Sequence, residues 1–235
     1  MTVSDLSPRL ALIASLVPDG AALADVGTDH AYLPAALLKT GRIARAVGTD
    51  IHSGPLQSAA VHSESCGVAD KLRLVLCDGL ENVSPDEADT VVIAGMGGET
   101  ILGILGRAPW TRSGVRLILQ PQSKISELRL GLTEGGYVID GEYLVRDAGR
   151  IYTVITARGG SSRALSAAEL YFGELRLQHM PELLAELVSE RSAKLENICR
   201  LLEGSAKPGD AERLERYREV LTELKDNVER GGADV

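Results

Sequence analysis

Short apolar segments that stop at a glycine or a polar residue recur along the first half of the chain, each followed by a stretch with helical periodicity. Five such segments occupy residues 22–27, 45–51, 72–77, 89–94 and 115–120. Apolar runs of this length, alternating with helices, are typical of buried parallel strands. The pattern therefore predicts an α/β fold in which helices cover both faces of a mostly parallel sheet.

The strand pattern changes after residue 136. Residues 137–146 and 150–158 flank a turn sequence at residues 147–149, which predicts a β-hairpin at the end of the sheet. Seven strands with a terminal antiparallel hairpin fit the Rossmann-like sheet of class I methyltransferases better than the sheet of dinucleotide-binding proteins. That methyltransferase-type sheet is the fold class we expect.

The last third of the chain carries only helical periodicity. After a glycine-serine joint at residues 159–162, apolar residues recur at the spacing of two amphipathic helices. A single break at residues 203–210 separates them, which predicts an α-helical hairpin. We therefore expect two domains, a cofactor-binding sheet domain over residues 1–160 and the helical hairpin over residues 161–235.

Charge and composition limit the kinds of ligand. The 33 acidic and 25 basic residues give a net charge of −8, which argues against broad, nonspecific binding to phosphate backbones. Aromatic residues make up only 3%, too few for an open platform that stacks single-stranded bases. Separated cysteines and histidines without metal-ligand spacing predict reduced thiols and no metal. Without a signal peptide or a run of about 20 apolar residues, the chain is expected to be cytoplasmic and to have no membrane span.

The residues that follow each predicted strand are candidates for ligand binding, because ligands of open α/β sheets bind beyond the carboxyl ends of the strands. These residues are Asp25, Gly27, Asp50, Asp78, Gly79 and the turn Gly95-Met96-Gly97-Gly98. After the first strand, Gly27 is followed by Thr28 and Asp29, without the further glycines that make room for a pyrophosphate. A nucleoside cofactor that lacks phosphates needs carboxylates for its ribose hydroxyls and its amine. The set therefore favours S-adenosylmethionine over a dinucleotide.

Individual roles follow from position along the chain. Asp50 lies about 20 residues beyond the first glycine turn and is placed to accept the ribose hydroxyls. Asp78 is placed to accept from the adenine amino group, and Gly27 lets the backbone approach the cofactor closely. Taken singly, each of these aspartates also fits a helix cap or a turn. Three other readings stay open: an NAD-dependent oxidoreductase, a binding module without turnover, and a methyltransferase for another RNA, a protein or a small molecule.

Four strings of residues resemble a known family. They are LADVGTDHAYLP at 23–34, GTDIHSGPLQSA at 48–59, IAGMGGE at 93–99 and LILQPQ at 117–122. Together with the helical hairpin, they are similar to the bacterial tRNA (adenine-22 N1)-methyltransferases over nearly the whole chain. Two positions depart from the family pattern. Gln122 stands where the family commonly has asparagine, and Asp50 is a shortened form of the family's glutamate.

The resemblance implies methyl transfer from S-adenosylmethionine to N1 of an adenine in the D-arm region of tRNA. It implies cofactor binding by Asp25, Gly27, Asp29, His30, Asp50, Asp78, Gly79, Ala94, Gly95 and Met96. It also implies that Asp29 and Tyr32 face the target adenine as catalytic residues. Gln120, Pro121 and Gln122 are then expected on the substrate side.

An acidic chain that binds tRNA needs local cations at the contact. The sequence offers Arg42 and Arg45 as candidates, with Lys124 and Arg129 after the fifth predicted strand and further arginines on the predicted helical hairpin. The predicted helical hairpin is not basic overall, and its charges are also those of a solvated helical face. Three roles remain open for this hairpin: contact with tRNA, packing on the sheet domain, or self-association with a second copy.

Overall fold

The computed structural model describes residues 2–174, 181–205 and 207–231. Its strands are β1 (Ala22–Val26), β2 (Arg45–Asp50), β3 (Leu72–Leu76), β4 (Thr90–Gly97), β5 (Arg116–Ser123), β6 (Tyr137–Asp147) and β7 (Arg150–Gly159). Its helices are α1 (Pro8–Leu16), α2 (Tyr32–Lys39), α3 (Ser53–Cys66), α4 (Gly98–Arg107), α5 (Ile125–Glu134), α6 (Ala167–Phe172), α7 (Pro181–Glu203) and α8 (Asp210–Gly231). The strands form one sheet in the order β3-β2-β1-β4-β5-β7-β6.

The predicted fold class is confirmed. Strands β1 to β5 pair in parallel, whereas β7 runs antiparallel to both β5 and β6. β1 lies between β2 and β4, so the strand order reverses there. A crevice forms at such a reversal, because the helices that follow the two neighbouring strands lie on opposite faces of the sheet. The topology therefore places the candidate site at the ends of β1 and β4.

Local sequence explains where several helices and strands begin or end. The Ser7 hydroxyl accepts a hydrogen bond from the Leu10 amide at 3.4 Å, and Pro8 occupies the first position of α1. Gly67 ends α3 in the left-handed conformation, with φ of +70°. β4 continues three residues beyond its predicted end, because Gly95 at φ +79° permits a shift in the register with β5.

Alternate residues of the central strands supply two separate apolar cores. Val91 and Ile93 of β4 pack with α4 and α5, whereas Val92 between them packs with α1, α2 and α3. All three side chains are fully buried. Burial on both faces accounts for the unbroken apolar runs that predicted these strands.

The C-terminal helices form a third, smaller core. It contains Phe172 of α6, Leu195 of α7, and Val220 and Leu224 of α8. α6 was not predicted; it is a single short helix that begins with a capping box formed by Ser166. Residues 160–166 connect β7 to α6, and the division of the chain into two domains at residue 160 stays a prediction.

One expected RNA contact is wrong. Arg129 of α5 has no exposed surface and forms a two-pronged ion pair with Glu142 of β6, at 2.9 and 2.8 Å. Its remaining guanidinium nitrogen donates to the backbone carbonyls of Leu170 at 2.8 Å and Tyr171 at 3.2 Å. Arg129 therefore joins the sheet to α6 and is not available to a nucleic acid.

Candidate active site at the carboxyl edge of the sheet

Two adjoining cavities open where the central parallel strands end. The first has a volume of about 280 Å³, and its lining includes Arg9, Asp25, Asp29, Tyr32, Ala94 and Gly95. The second has a volume of about 290 Å³, and its lining includes Asp50, Asp78, Gly79, Met96, Thr100 and Ile104. Gly27 lines both, so the two cavities meet at this residue. Of the ten residues predicted to bind the cofactor, nine line one cavity or the other.

Gly27 keeps the junction of the two cavities open. Its φ is +71°, and a Cβ atom built there would lie 2.5 Å from Cε of Met96. The amides of Gly27 and Thr28 donate to the carbonyl of Thr49 at 2.8 and 3.0 Å, which ties the turn to the end of β2. The backbone conformation therefore favours glycine at this position, and a Cβ there would displace the Met96 side chain.

Asp25 is a buried carboxyl group at the end of β1. Only 6% of the residue is exposed, and Oδ2 accepts a hydrogen bond from the Thr28 hydroxyl at 2.7 Å. Burial raises the pKa of Asp25 to about 6, although the hydrogen bond from Thr28 acts in the opposite direction. A cation in the first cavity would stabilise the ionised form of the Asp25 carboxyl group.

The second cavity carries two more carboxylates. Oδ1 of Asp50 accepts a hydrogen bond from the amide of His52 at 2.8 Å, which fixes the carboxylate at the end of β2. Within the described part of the chain, Oδ2 of Asp50 has no hydrogen-bond partner. Asp78 pairs with Arg107 of α4 at 2.8 Å and keeps more than half of its side chain exposed. Both side chains thus retain acceptor capacity toward the cavity.

The loop between β1 and α2 places Asp29 and Tyr32 at the first cavity. Asp29 and Ala31 adopt left-handed backbone conformations, with φ of +50° and +53°. The Tyr32 ring stacks on His30 with 5.3 Å between centroids, and it contacts His62 edge-on at 5.0 Å. Tyr32 is 39% exposed, so one part of the ring remains accessible. His30, the tenth predicted cofactor residue, contacts this ring and does not line the cavity.

The three residues predicted on the substrate side differ in accessibility. Gln120 is fully buried, and its Oε1 accepts a hydrogen bond from Nη1 of Arg9 at 2.6 Å. Pro121 is also buried, whereas Gln122 is exposed. A Cβ atom at Gly95 would lie 3.6 Å from Nε2 of Gln122. Gln120 therefore positions Arg9, and Gln122 is the member of the three whose side chain is open to a ligand.

Arg9 lines the first cavity and was not anticipated. Besides Gln120, it contacts Asp147, whose Oδ2 accepts from the Arg9 amide at 3.4 Å, and the ring of Tyr152, 5.6 Å from the guanidinium carbon. The sequence holds only an indirect signal, since a cation in the first turn of a helix opposes the helix dipole. Such a residue needs partners outside the helix.

Arg42 and Arg45 are not brought to these cavities. They lie at the opposite, amino-terminal edge of the sheet, before and at the start of β2. Arg42 donates to the carbonyls of Ala14 and Val17 and pairs with an exposed aspartate at 2.9 Å. Arg45 donates to a backbone carbonyl in the loop before β4. This placement separates the two arginines from the site that they were expected to serve.

Lys124 does lie at the carboxyl edge, immediately before α5. It pairs with Glu127 at 3.1 Å and Glu99 at 4.0 Å. Its charge is therefore partly compensated within the chain.

Two further properties bear on ligand and location. Across residues 2–174, 181–205 and 207–231, no group of three or more His, Cys, Asp or Glu side chains is arranged to hold a metal ion. The helices of the same residues include none that is both long and apolar enough to cross a membrane.

Comparison with known proteins places this geometry among methyltransferases. A family model described as a methyltransferase domain matches residues 6–155. The chain is 32% identical to the tRNA (adenine(22)-N(1))-methyltransferase of Bacillus subtilis, over 95% of this chain and 94% of that protein.

Solved structures agree with this likeness. A Streptococcus pneumoniae protein described as a candidate tRNA (m1A22) methyltransferase, solved with S-adenosyl-L-methionine, is 34% identical with a TM-score of 0.78, over 92% of this chain and 99% of that one. The M. capricolum protein TrmK, solved with S-adenosyl-homocysteine, is 27% identical with a TM-score of 0.78, over 92% of this chain and 98% of that one.

Proposed function

Because the chain belongs to the family of bacterial tRNA (adenine-22 N1)-methyltransferases, we propose that it transfers a methyl group from S-adenosylmethionine to N1 of adenine 22 in the D-arm region of tRNA. Since tRNA is the substrate, the site of action is the cytoplasm. The observation that carries the proposal is the pair of cavities that meet at Gly27. The second cavity is lined by Asp50, the predicted acceptor for the ribose hydroxyls, and the first by Asp29 and Tyr32.

The residues of the two cavities fit S-adenosylmethionine. Its adenosine part needs acceptors for two ribose hydroxyls and an amino group, and Asp50 and Asp78 supply carboxylate oxygens in the second cavity. Its methionine part carries an ammonium group, which the buried Asp25 carboxyl group would hold in the first cavity. When bound, the cofactor supplies an electrophilic methyl group on a sulfonium. Because the chain belongs to a methyltransferase family, we no longer consider the alternative of an NAD-dependent oxidoreductase.

Adenine N1 already carries a lone pair, so the protein does not need a strong base before the methyl group moves. The residues of the first cavity act mainly by orientation, which holds N1 in line with the methyl group. The Tyr32 ring stacks on the target base, and the Asp29 carboxylate stabilises the positive charge that the adenine gains. In folded tRNA the base has to leave its stack to reach this cavity.

A position-specific transcript tests the proposal. We expect labelled methyl transfer to an unmodified tRNA transcript with adenine at position 22, and none to the same transcript with guanine there. Equal labelling of both transcripts would overturn the choice of target while leaving methyl transfer to tRNA in place.

Asp29→Asn is expected to lower kcat about tenfold while KM for tRNA changes little. The carboxylate acts on the charge that the adenine gains during transfer, so its removal affects the transition state more than the bound substrate. Asp19→Asn is the matched control, since Asp19 is an exposed aspartate paired with Arg42 at the far edge of the sheet. Steady-state kinetics should show wild-type values for Asp19→Asn, and the same values for Asp29→Asn would exclude the charge-stabilising role.

The pKa of Asp25 predicts a pH-dependent affinity for S-adenosylmethionine. Because burial raises this pKa to about 6, the carboxyl group of the free protein is largely neutral below pH 6. The bound ammonium group favours the ionised form, so affinity is expected to fall about tenfold from pH 7 to pH 5. Calorimetric titration at pH 5, 6, 7 and 8 checks this dependence.

Asp25→Asn is expected to change the stability of the protein and its affinity for the cofactor in opposite directions. The ionised carboxyl group destabilises the folded protein above about pH 6, and this cost is absent below the unfolded-state pKa of 3.8. Asparagine is therefore expected to raise the free energy of unfolding at pH 7 by up to about 3 kcal/mol, while weakening cofactor binding and removing its pH dependence. If the Asp25→Asn variant binds the cofactor with the wild-type pH profile, the role of Asp25 is contradicted.

A further inference from the structure

A third cavity lies at the same edge of the sheet, next to the first. It has a volume of about 300 Å³, and its lining includes Gln122, Ser123, Arg150, Tyr152, Thr153 and Arg191. These residues come from the end of β5, the start of β7 and the middle of α7. The cavity is thus built jointly by the sheet and the C-terminal helices.

Two residues connect the third cavity to the first. Gln122 lies beside Gly95, which lines the first cavity. Tyr152 lines the third cavity, and its ring lies under the guanidinium of Arg9, which lines the first. A ligand with its reacting base in the first cavity would therefore have its neighbouring atoms near the third.

Two arginines line the third cavity. Arg150 and Arg191 have no ion-pair partner among the described residues, whereas Arg107, Arg146 and Lys124 at the same side of the molecule are all paired with glutamate or aspartate. Among the described residues that line the cavity, none is acidic. In a chain with a net charge of −8, such a site is selective for an anion.

Arg191 is fixed in place by its surroundings. Its Nη1 donates to the backbone carbonyl of Tyr171 at 3.1 Å, which leaves the other N–H groups of the guanidinium for a ligand. Burial, together with the nearby charge of Arg129, lowers the pKa of Arg191. Both effects act against the charged form, and an anion would offset them.

From these observations we infer that the third cavity binds a backbone phosphate of the RNA substrate, next to the target adenosine. The Arg150 and Arg191 guanidinium groups and the Gln122 amide donate to the phosphate oxygens, an arrangement for which arginine is well suited. The identity of the ligand rests on the proposed function. The C-terminal helices then take part in substrate binding through one placed arginine, without forming a basic arm.

Salt-dependent binding of unmodified tRNA tests this inference without any need for methyl transfer. Arg150→Gln and Arg191→Gln are each expected to weaken the affinity about tenfold at 100 mM salt, and to make the slope of log K against log salt concentration shallower by about 0.7 to 0.9. Affinity for S-adenosylmethionine should stay within about twofold of wild type. Arg150 lies at the exposed start of β7, so Arg150→Gln is expected to keep the fold. It therefore tests the site even if Arg191→Gln loosens the packing of α7.

Arg200→Gln is the matched control on the same helix. Arg200 is exposed and follows Arg191 by nine positions, which at 100° per residue places it on the opposite face of α7. Arg200→Gln removes the same charge and should leave both the tRNA affinity and the salt slope unchanged.

The outcomes separate the inference from the proposed function. If Arg150→Gln and Arg191→Gln bind tRNA as Arg200→Gln does, the phosphate site is overturned even when wild type methylates tRNA. If wild type binds tRNA with the expected slope and the two variants lose it, the site stands even when no methyl transfer occurs.

Discussion

Gly27→Ala is expected to weaken S-adenosylmethionine binding by up to about a hundredfold. The added Cβ would lie 2.5 Å from Cε of Met96, so the Met96 side chain has to move. Met96 lines the second cavity, and the added methyl stands where both cavities meet. Overpacking of this kind costs about 1–3 kcal/mol, and 3 kcal/mol corresponds to roughly a hundredfold in affinity. Calorimetric titration measures the loss directly.

Gly41→Ala controls for backbone strain. Gly41 has φ of +69°, close to the +71° of Gly27, but a Cβ there would meet nothing within 4 Å. Both variants carry the cost of a left-handed alanine, so their melting temperatures should fall by similar amounts. Only Gly27→Ala should lose the cofactor. Similar cofactor affinities for the two variants would mean that the junction of the cavities does not hold the cofactor.

Tyr32→Ala is expected to lower kcat/KM for tRNA about a hundredfold with little change in cofactor affinity. The Tyr32 ring is held by His30 and His62, and the variant loses a surface for stacking the target adenine, which is worth about 1–3 kcal/mol. Tyr32→Phe should retain most of the activity, because stacking needs the ring and not the hydroxyl. Steady-state kinetics with a tRNA transcript would reveal the difference, and equal activity of the alanine variant and wild type would exclude the stacking role.

The sequence predicted those features that depend on local pattern. Asp50 and Asp78 could be placed at one edge of the sheet because they follow predicted parallel strands, whose carboxyl ends share an edge. The left-handed turn at Gly27 was likewise marked by a glycine directly after an apolar run. Their roles in binding remain predictions.

Features that depend on packing between distant segments could not be predicted. Arg9 reaches the first cavity because α1 packs near the β6–β7 hairpin, and no periodicity records that contact. Arg129 was expected at the surface because its charge is visible in the sequence, whereas the partner that buries it, Glu142, lies on a different element. The third cavity needs residues from β5, β7 and α7 together, and their approach is a property of the assembled chain.

Position along β5, rather than strand alternation, separates the predicted substrate residues Gln120 and Gln122, which share one face of the strand. Gln120 shares a face of β5 with the buried Ile118, whereas Gln122 lies near the end of the strand, at its exposed tip. The sequence shows the alternation but not which face α1 covers. Gln120 could therefore not be recognised in advance as a buried partner of Arg9.

Analysis of the methylated product tests the central claim most directly. Unmodified bulk tRNA would be incubated with the protein and labelled S-adenosylmethionine, digested to nucleosides and resolved by mass spectrometry. The account predicts 1-methyladenosine as the labelled nucleoside. Label in N6-methyladenosine or in a guanosine derivative, or no transfer by a protein that binds S-adenosylmethionine, would contradict it.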